Sequence, residues 1–288
     1  MNDLDIGMQS EISKFADDTK VMCPIRNIGD QQKLQQDLIK LMIWTKKWQM
    51  KFNVDKCSVM HFGHANPKFK YKMGDQELQE TEEEKDLGVY VNSSMKFSRQ
   101  CAESVKKANR MIGIIKRNFT NFDRKVVLNL YKALVRPHLD YYVPVWKPYL
   151  RKDIQLLEGV QRRMTKIIHG MRNKTYEERL KELRLMTIEQ RHLRQDMITF
   201  YNITQGSINM QVDNYVDILR ESNTRGHTMK IRPSRVRLEV RRNSYFKRIW
   251  KAWNTLPQEA VTAQTLNKFK NSIADCGIFK GRGDLLSR

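Results

Sequence analysis

Apolar residues recur along the chain with two different periods, and the change falls near residue 94. Ahead of it, Ile12, Phe15, Ala16, Val21 and Met22 make the stretch from Ser10 to Cys23 apolar and suited to strands, with Asp17 and Asp18 at its centre. This reads as strand, tight turn, strand. Asn27 to Asp30 breaks the pattern, and Asp30 is placed to cap a helix reaching about residue 50. Its apolar face is Leu34, Leu38, Leu41, Thr45 and Trp48, at spacings of 4, 3, 4 and 3. A strand is expected over Lys51 to Gly63, where Val59, His61 and Gly63 alternate with Ser58, Met60 and Phe62, until Asn66-Pro67 ends it. KFKYKMGDQEL predicts a hairpin turning at Gly74-Asp75, and TEEEKDLGVYVNSS an acidic loop feeding a short strand, Leu87 to Val91.

After Ser94 the period is helical. Cys101, Val105, Ala108, Ile112, Ile115 and Phe119 form one face, while Lys106, Lys107, Arg110, Lys116 and Arg117 occupy another. A second helix carries Val127, Leu130, Tyr131 and Leu134 and is expected to stop at Pro137. LDYYVPVWKPYL follows as an aromatic, proline-punctuated connector. A third helix, about Lys152 to His169, buries Ile154, Leu157, Val160, Met164 and Ile168 and turns Gln161, Arg162 and Lys166 to the polar side. Thr175 and Glu178 make a capping-box pattern, and an amphipathic helix spans about Ile188 to Thr204. Gly206 to Val236 reads as a partly ordered polar loop. Two helices end the pattern, one carrying Phe246, Ile249, Trp250 and Trp253, the other Leu266, Phe269 and Ile273. The fold class expected is α+β first, then all helix.

Charge sharpens this division. The chain has 288 residues, with 53 Lys and Arg against 32 Asp and Glu. Residues 1–94 hold 13 basic and 15 acidic side chains, a balance of −2; the remainder holds 40 and 17, a balance of +23. A one-sided excess of this size points to a polyanionic partner, nucleic acid above all. The clustered cations of 106–117, and a second group of Arg232, Arg235, Arg237, Arg241, Arg242, Lys247 and Arg248, suit phosphate contact without sequence readout. Tyr141, Tyr142, Trp146 and Tyr149 either stack on bases or, the favoured reading, pack in a core. No apolar run nears the roughly 20 residues of a membrane span. The acidic first ten residues do not resemble a signal peptide. Cys23, Cys57, Cys101 and Cys276 are scattered, as in a reduced, intracellular protein. Cys57, His61 and His64 lack a fourth ligand for zinc.

Asp17 and Asp18 sit where a strand avoids charge. Adjacent carboxylates repel, and burying one without a partner is costly or shifts its pKa. The pair is either a turn pointing into water or a site that expects a cation, such as the Mg²⁺ ions of phosphoryl transfer.

The neighbours of the pair carry a family resemblance. KFADDTKV resembles the F/Y-x-D-D box of reverse transcriptases, and NDLD the segment leading into it. LQQDLIKLMIWTKKWQMKFNVDKCSVMHFG resembles the helix and strand that follow, and EKDLGVYVNSSMKFSRQC the primer-gripping hairpin. LYKALVRPHLDYYVPVWKP, LEGVQRRMTKIIHG, YEERLKELRL and WNTLPQEAV with LNKFK resemble the thumb and C-terminal blocks. In order and spacing the chain is similar to the C-terminal part of a non-LTR retrotransposon (LINE, jockey-like) reverse transcriptase. The resemblance implies a partial right-hand polymerase palm over 1–94, a helical thumb over 95–170 and a basic helical C-terminal domain over 171–288. It implies Asp17 and Asp18 as Mg²⁺ ligands, Lys56 as the proton donor to departing pyrophosphate, and Leu87-Gly88 as the primer-grip turn. RNA template and DNA primer would be the partners, no membrane is expected, and the location would be nuclear in a working element. The family's fingers and its further metal-binding Asp fall upstream of this region. The expectation is therefore a fragment, inactive alone, with a non-catalytic nucleic-acid-binding remnant as the alternative. A hairpin without its neighbouring strand would leave an open edge.

Overall fold

The structure is a computed structural model that describes residues 3–219 and 226–277. The chain forms two compact units, Met1–Met95 and Lys96–Arg288.

In the first unit, β1 (Glu11–Phe15) and β2 (Asp18–Met22) pair antiparallel with Phe15 opposite Asp18, so Ala16 and Asp17 are the whole turn. Ala16 takes φ 51, the left-handed conformation that a two-residue hairpin turn asks of its first residue. Helix α1 (Ile28–Trp48) begins earlier than expected. Asn27, not Asp30, is its cap: the Asn27 side-chain oxygen accepts the Asp30 N–H at 3.0 Å, and Asp30 sits in the first turn, where the helix dipole favours a carboxylate. Leu38, Leu41 and Thr45 are buried as their spacing requires, while Trp48 is exposed. The indole N–H groups of Trp44 and Trp48 both donate to the Asp3 carboxylate, at 3.1 and 3.0 Å.

The long strand expected after α1 is not formed. Asn53 and Asp55 favour a turn over an extended backbone, and Val54–Lys56 coil into a 3₁₀ turn. Only Ser58–Val59 (β3) enters a ladder. The hairpin at Gly74 forms as expected, from β4 (Lys72–Met73) and β5 (Gln76–Glu77). β6 (Gln79–Glu80) then pairs parallel with β3. The stretch expected as an acidic loop is itself a strand, β7 (Glu83–Asp86), paired antiparallel with β8 (Val89–Asn92). No ladder among the described residues has more than two strands, so β1 and β2 each keep an unpaired edge. The core of this unit is small: Leu4, Leu38, Leu41, Tyr71, Met73 and Leu78.

The second unit is helical. α2 (Ser98–Asn118) buries Cys101, Val105, Ala108, Ile112 and Ile115, while Phe119, just past its end, is exposed. α3 (Arg124–Leu130) does not lead to a stop at Pro137. A π turn over Tyr131–Val135 intervenes, and α4 (Arg136–Asp140) carries the proline in its first turn. Pro137 has no N–H to give the Ala133 carbonyl, and the wide turn ahead of it lets the helical path continue. α5 (Val143–Trp146) and α6 (Arg151–Lys166) follow. α2 packs against both α4 and α6, and the Ser98 hydroxyl donates to Asp153 at 2.6 Å.

α7 (Tyr176–Leu183) and α8 (Ile188–Thr204) both open with capping boxes, Thr175/Glu178 as expected and Thr187/Gln190 in addition. Gln161 is not on the polar side of α6. It is fully buried, accepting from the Tyr131 hydroxyl at 2.6 Å and donating to the Tyr176 oxygen at 2.9 Å and the Met186 carbonyl at 3.0 Å. Within the expected loop, β9 (Ile218–Leu219) and β10 (Lys230–Ile231) pair, and His227 is buried against Trp253. Four short helices follow: α9 (Glu239–Arg242), α10 (Tyr245–Arg248), α11 (Trp250–Asn254) and α12 (Gln258–Val261). α13 (Leu266–Asp275) closes the unit. Phe200, Trp253 and Phe269 are wholly buried in a second core, with Tyr201 and Phe269 stacked at 4.3 Å.

Candidate active site and nucleic-acid surface

The Asp17-Asp18 pair sits at the tip of the first hairpin, and both residues are exposed. Strand alternation puts Asp18 on the face shared by Ser13, Phe15, Lys20 and Met22, and Thr19 on the other with Ile12 and Val21. Asp17 lines a pocket of about 120 Å³ together with Thr19, Trp44, Met50, Lys51 and Phe52. Asp18 and Thr19, the strand residue that shares the Asp17 pocket, thus lie on opposite faces of the hairpin. Mg²⁺ needs near-octahedral oxygen donors, and among the described residues no group of three or more His, Cys, Asp or Glu side chains converges. Among the described residues, neither Asp17 and Asp18 nor Cys57, His61 and His64 belong to such a group.

What holds the hairpin in place was not legible as chemistry in the sequence. Asp37, on the core side of α1 and fully buried, accepts the backbone N–H groups of Gln9 (3.0 Å) and Ser10 (2.7 Å) at the entry to β1, and the Lys40 ammonium at 3.1 Å. Burial pushes the Asp37 carboxyl up, but these bonds outweigh it and hold it below the usual range. The readable signal was a carboxylate between Leu34, Leu38 and Leu41, where an apolar face should not carry one.

Lys20, on the Asp18 face, pairs with Asp86, the last residue before the Leu87-Gly88 turn. Leu87 (φ 45) and Gly88 (φ 84) are both left-handed, as a two-residue hairpin with two positive φ angles requires. One ion pair thus joins the acidic hairpin to the hairpin expected to grip a primer. Lys56 is exposed on its 3₁₀ turn. Lys51, a residue the sequence did not single out, shares the pocket of Asp17 instead.

On α2 the cationic face forms as expected: Lys106, Lys107, Arg110, Lys116 and Arg117 are all exposed. Lys106, Arg110 and Arg117 follow one stripe, with Lys107 and Lys116 flanking it. The later group is divided. Arg235, Arg237, Arg241 and Arg242 are exposed, while Lys247 is half-buried and donates to the Ser234 hydroxyl at 2.8 Å. Arg232 pairs with Asp217 at 2.9 Å. Arg248 is withdrawn from any surface role. It forks onto the buried Asp196 at 2.7 and 3.0 Å and donates to the Pro144 carbonyl at 2.8 Å. Lys147 completes this cluster, 3.1 Å from Asp196, and burial holds its ammonium below the usual lysine range. The aromatics divide too: Trp146 is wholly buried and Tyr149 half-buried, but Tyr141 and Tyr142 are exposed.

Comparison with known proteins places this chain at a distance from one mobile-element polymerase. Over 181 residues, 59% of the chain, it is 25% identical to the "RNA-directed DNA polymerase from mobile element jockey" of Drosophila melanogaster. The chain is a distant relative of a retrotransposon polymerase. The match covers 20% of that polymerase, so the chain spans about a fifth of its relative's length. No family model matches the chain, and no solved structure matches it. Among the described residues no helix is long and apolar enough to cross a membrane.

Proposed function

We propose that the chain corresponds to the part of a non-LTR retrotransposon RNA-directed DNA polymerase that runs from the metal-binding hairpin through the thumb, and that by itself it binds nucleic acid without copying it. The observation that carries this reading is the Lys20–Asp86 ion pair. It ties the strand that follows the Asp-Asp turn to the strand that leads into the left-handed Leu87-Gly88 turn, within one unit. Nucleotidyl transfer needs carboxylates held beside a positioned primer end, and this link supports that arrangement. In this reading Asp17 and Asp18 supply part of a Mg²⁺ site that another carboxylate must complete. Lys56 serves the departing pyrophosphate, and Leu87-Gly88 positions the primer. Lys106, Lys107, Arg110, Lys116, Arg117, Arg241, Arg242 and Lys247 neutralise phosphates.

The second reading, a non-catalytic nucleic-acid-binding remnant, is favoured by the missing convergence of carboxylates among the described residues. One pair of measurements tests what the two readings share. The purified chain should bind a primed RNA template, with affinity falling steeply between 50 and 200 mM salt, roughly 0.7 to 0.9 powers per phosphate neutralised. It should not extend the primer in Mg²⁺. Extension abolished by Asp17→Ala would overturn the claim of inactivity. Salt-independent binding would overturn the phosphate role of the basic side chains.

A further inference from the structure

Tyr141 and Tyr142 keep 54% and 57% of their surface in water, although the connector they belong to is firmly built. Beneath them Leu139, Val143 and Trp146 are wholly buried. The Trp146 indole N–H donates to the Tyr141 carbonyl at 2.6 Å, the Tyr141 N–H donates to Pro137 at 3.0 Å, and the Val145 N–H donates to Tyr142 at 3.0 Å. The two rings lie 6.0 Å apart with 35° between their planes, and Val145 beside them is also exposed. Tyr142 holds φ 53 and ψ 29, a conformation that glycine or asparagine adopts with less strain. More than half of each tyrosine's surface stays in water, on a turn that is strained for a residue with a Cβ.

The rings are rigidly based, flat and polar at the tip, in a unit whose residues carry the chain's whole positive excess. Such a surface suits the π-faces of a polyanion's bases better than an apolar protein face. Of the α2 cations, Lys107 reaches this region: its charge acts on His138 of α4, the helix leading directly into Tyr141. We propose that Tyr141 and Tyr142 form a stacking platform for unpaired bases of single-stranded nucleic acid. Bases inside a duplex already stack on one another, so the platform takes unpaired or terminal bases. This rests on the nucleic-acid reading above and adds a site to it.

The test uses the full chain, a 12-nucleotide single-stranded RNA bearing one 2-aminopurine, and a duplex of the same length. Tyr141→Ala with Tyr142→Ala should weaken single-strand binding about 10- to 100-fold. It should abolish the change in 2-aminopurine fluorescence, leave the salt slope unaltered and leave duplex binding within about twofold. The Phe pair should retain single-strand binding, which separates ring stacking from hydroxyl contacts. Both positions are exposed, so circular dichroism should show the variants folded. Unchanged affinity and fluorescence in the Ala pair would sink the platform while leaving the nucleic-acid reading intact, and so would an equal loss on duplex. A wild-type chain that binds neither probe would overturn both.

Discussion

The two units solve the burial of charge in opposite ways. The first has a small apolar core and uses carboxylates to tie backbone and strands: Asp37 on Gln9 and Ser10, Asp3 on two tryptophans, Asp86 on Lys20. The second has a larger core and hides whole ion clusters inside it. Asp196 has no exposed surface and holds Lys147 and Arg248, while Asp140 pairs with Arg191 and Arg136 beside the buried His192. The first arrangement leaves its acidic tip accessible. The second spends cations on packing, so a basic composition overstates the basic surface. Arg248 shows the difference: seven neighbouring cations in sequence, one of them removed by a buried fork.

The largest test of this contrast is Asp196→Ala. It leaves two buried cations unpaired, a change that typically costs about 3–5 kcal/mol. The thermal transition followed by helical circular dichroism should fall by roughly 10 °C, at the 2–4 °C per kcal/mol of a unit this size. A fall of under 2 °C would mean that the cluster is solvated rather than buried.

Next in size is a pH effect confined to the helical unit. His192 is buried beside Lys147 and Arg191, and its Nε2–H donates to the Leu139 carbonyl at 3.0 Å. Burial, reinforced by the Lys147 charge, pulls its pKa down to about 3. The unfolded chain therefore takes up a proton near pH 6.5 that the folded one refuses until about pH 3. Stability is full above pH 6.5 and is lost as pH falls toward 3, by roughly 3 kcal/mol at pH 4. Glu158 works the other way. Burial raises its carboxyl, against the lowering bonds from Tyr176 and Ile188, so acidification from above favours its folded, protonated form. Comparing urea midpoints of the wild type and His192→Gln between pH 7 and 4 isolates the histidine. The variant should show the flatter profile, and parallel profiles would show that His192 is not the group responsible.

In the first unit the matching test is Asp37→Ala, which leaves the Gln9 and Ser10 N–H groups without their acceptor. The cost is about 1–3 kcal/mol, smaller than for Asp196 because one buried cluster of charges is not left behind. Amide exchange should speed up across Glu11–Met22 while the helical unit keeps its protection. Uniform speeding across both units would contradict the local role.

How much of this was readable follows from what each element depends on. α2 and α8 were legible because a helix long enough to show several turns of one apolar face declares itself locally. The Asp17 turn was legible for a similar reason, since two strands meet across two residues. The strand expected over 51–63 failed because alternation in a short window cannot outvote Asn53 and Asp55. Pro137 was misread as a terminus because a π turn leaves no composition signal. In the candidate site, the exposed carboxylates and the α2 cations were readable as residue types. Lys20 with Asp86 was not, because a partner 66 residues away is set by packing. Asp37 and Asp196 did leave a trace, each a carboxylate flanked by apolar residues on a helix's core face.

The smallest test uses Gly113, the one glycine inside α2. Glycine in a helix interior costs about 1 kcal/mol relative to alanine. Nothing in the unit requires it, since a Cβ built there meets no atom within 4 Å and its φ is not in the left-handed range. Gly113→Ala should therefore raise the thermal midpoint by roughly 2–4 °C. It lies along the helix between Arg110 and Arg117, on the side where Lys106 is exposed. The same variant then asks whether that surface is in use. If RNA affinity is unchanged while stability rises, the phosphates are met by the side-chain tips of the stripe and the backbone beneath stays clear. If stability rises and affinity falls, the ligand descends to the helix backbone at Gly113, and the cations on either side are its flanks. If the midpoint does not rise, the helix is under a constraint that buried contacts do not reveal, and the contrast between the units loses its simplest term.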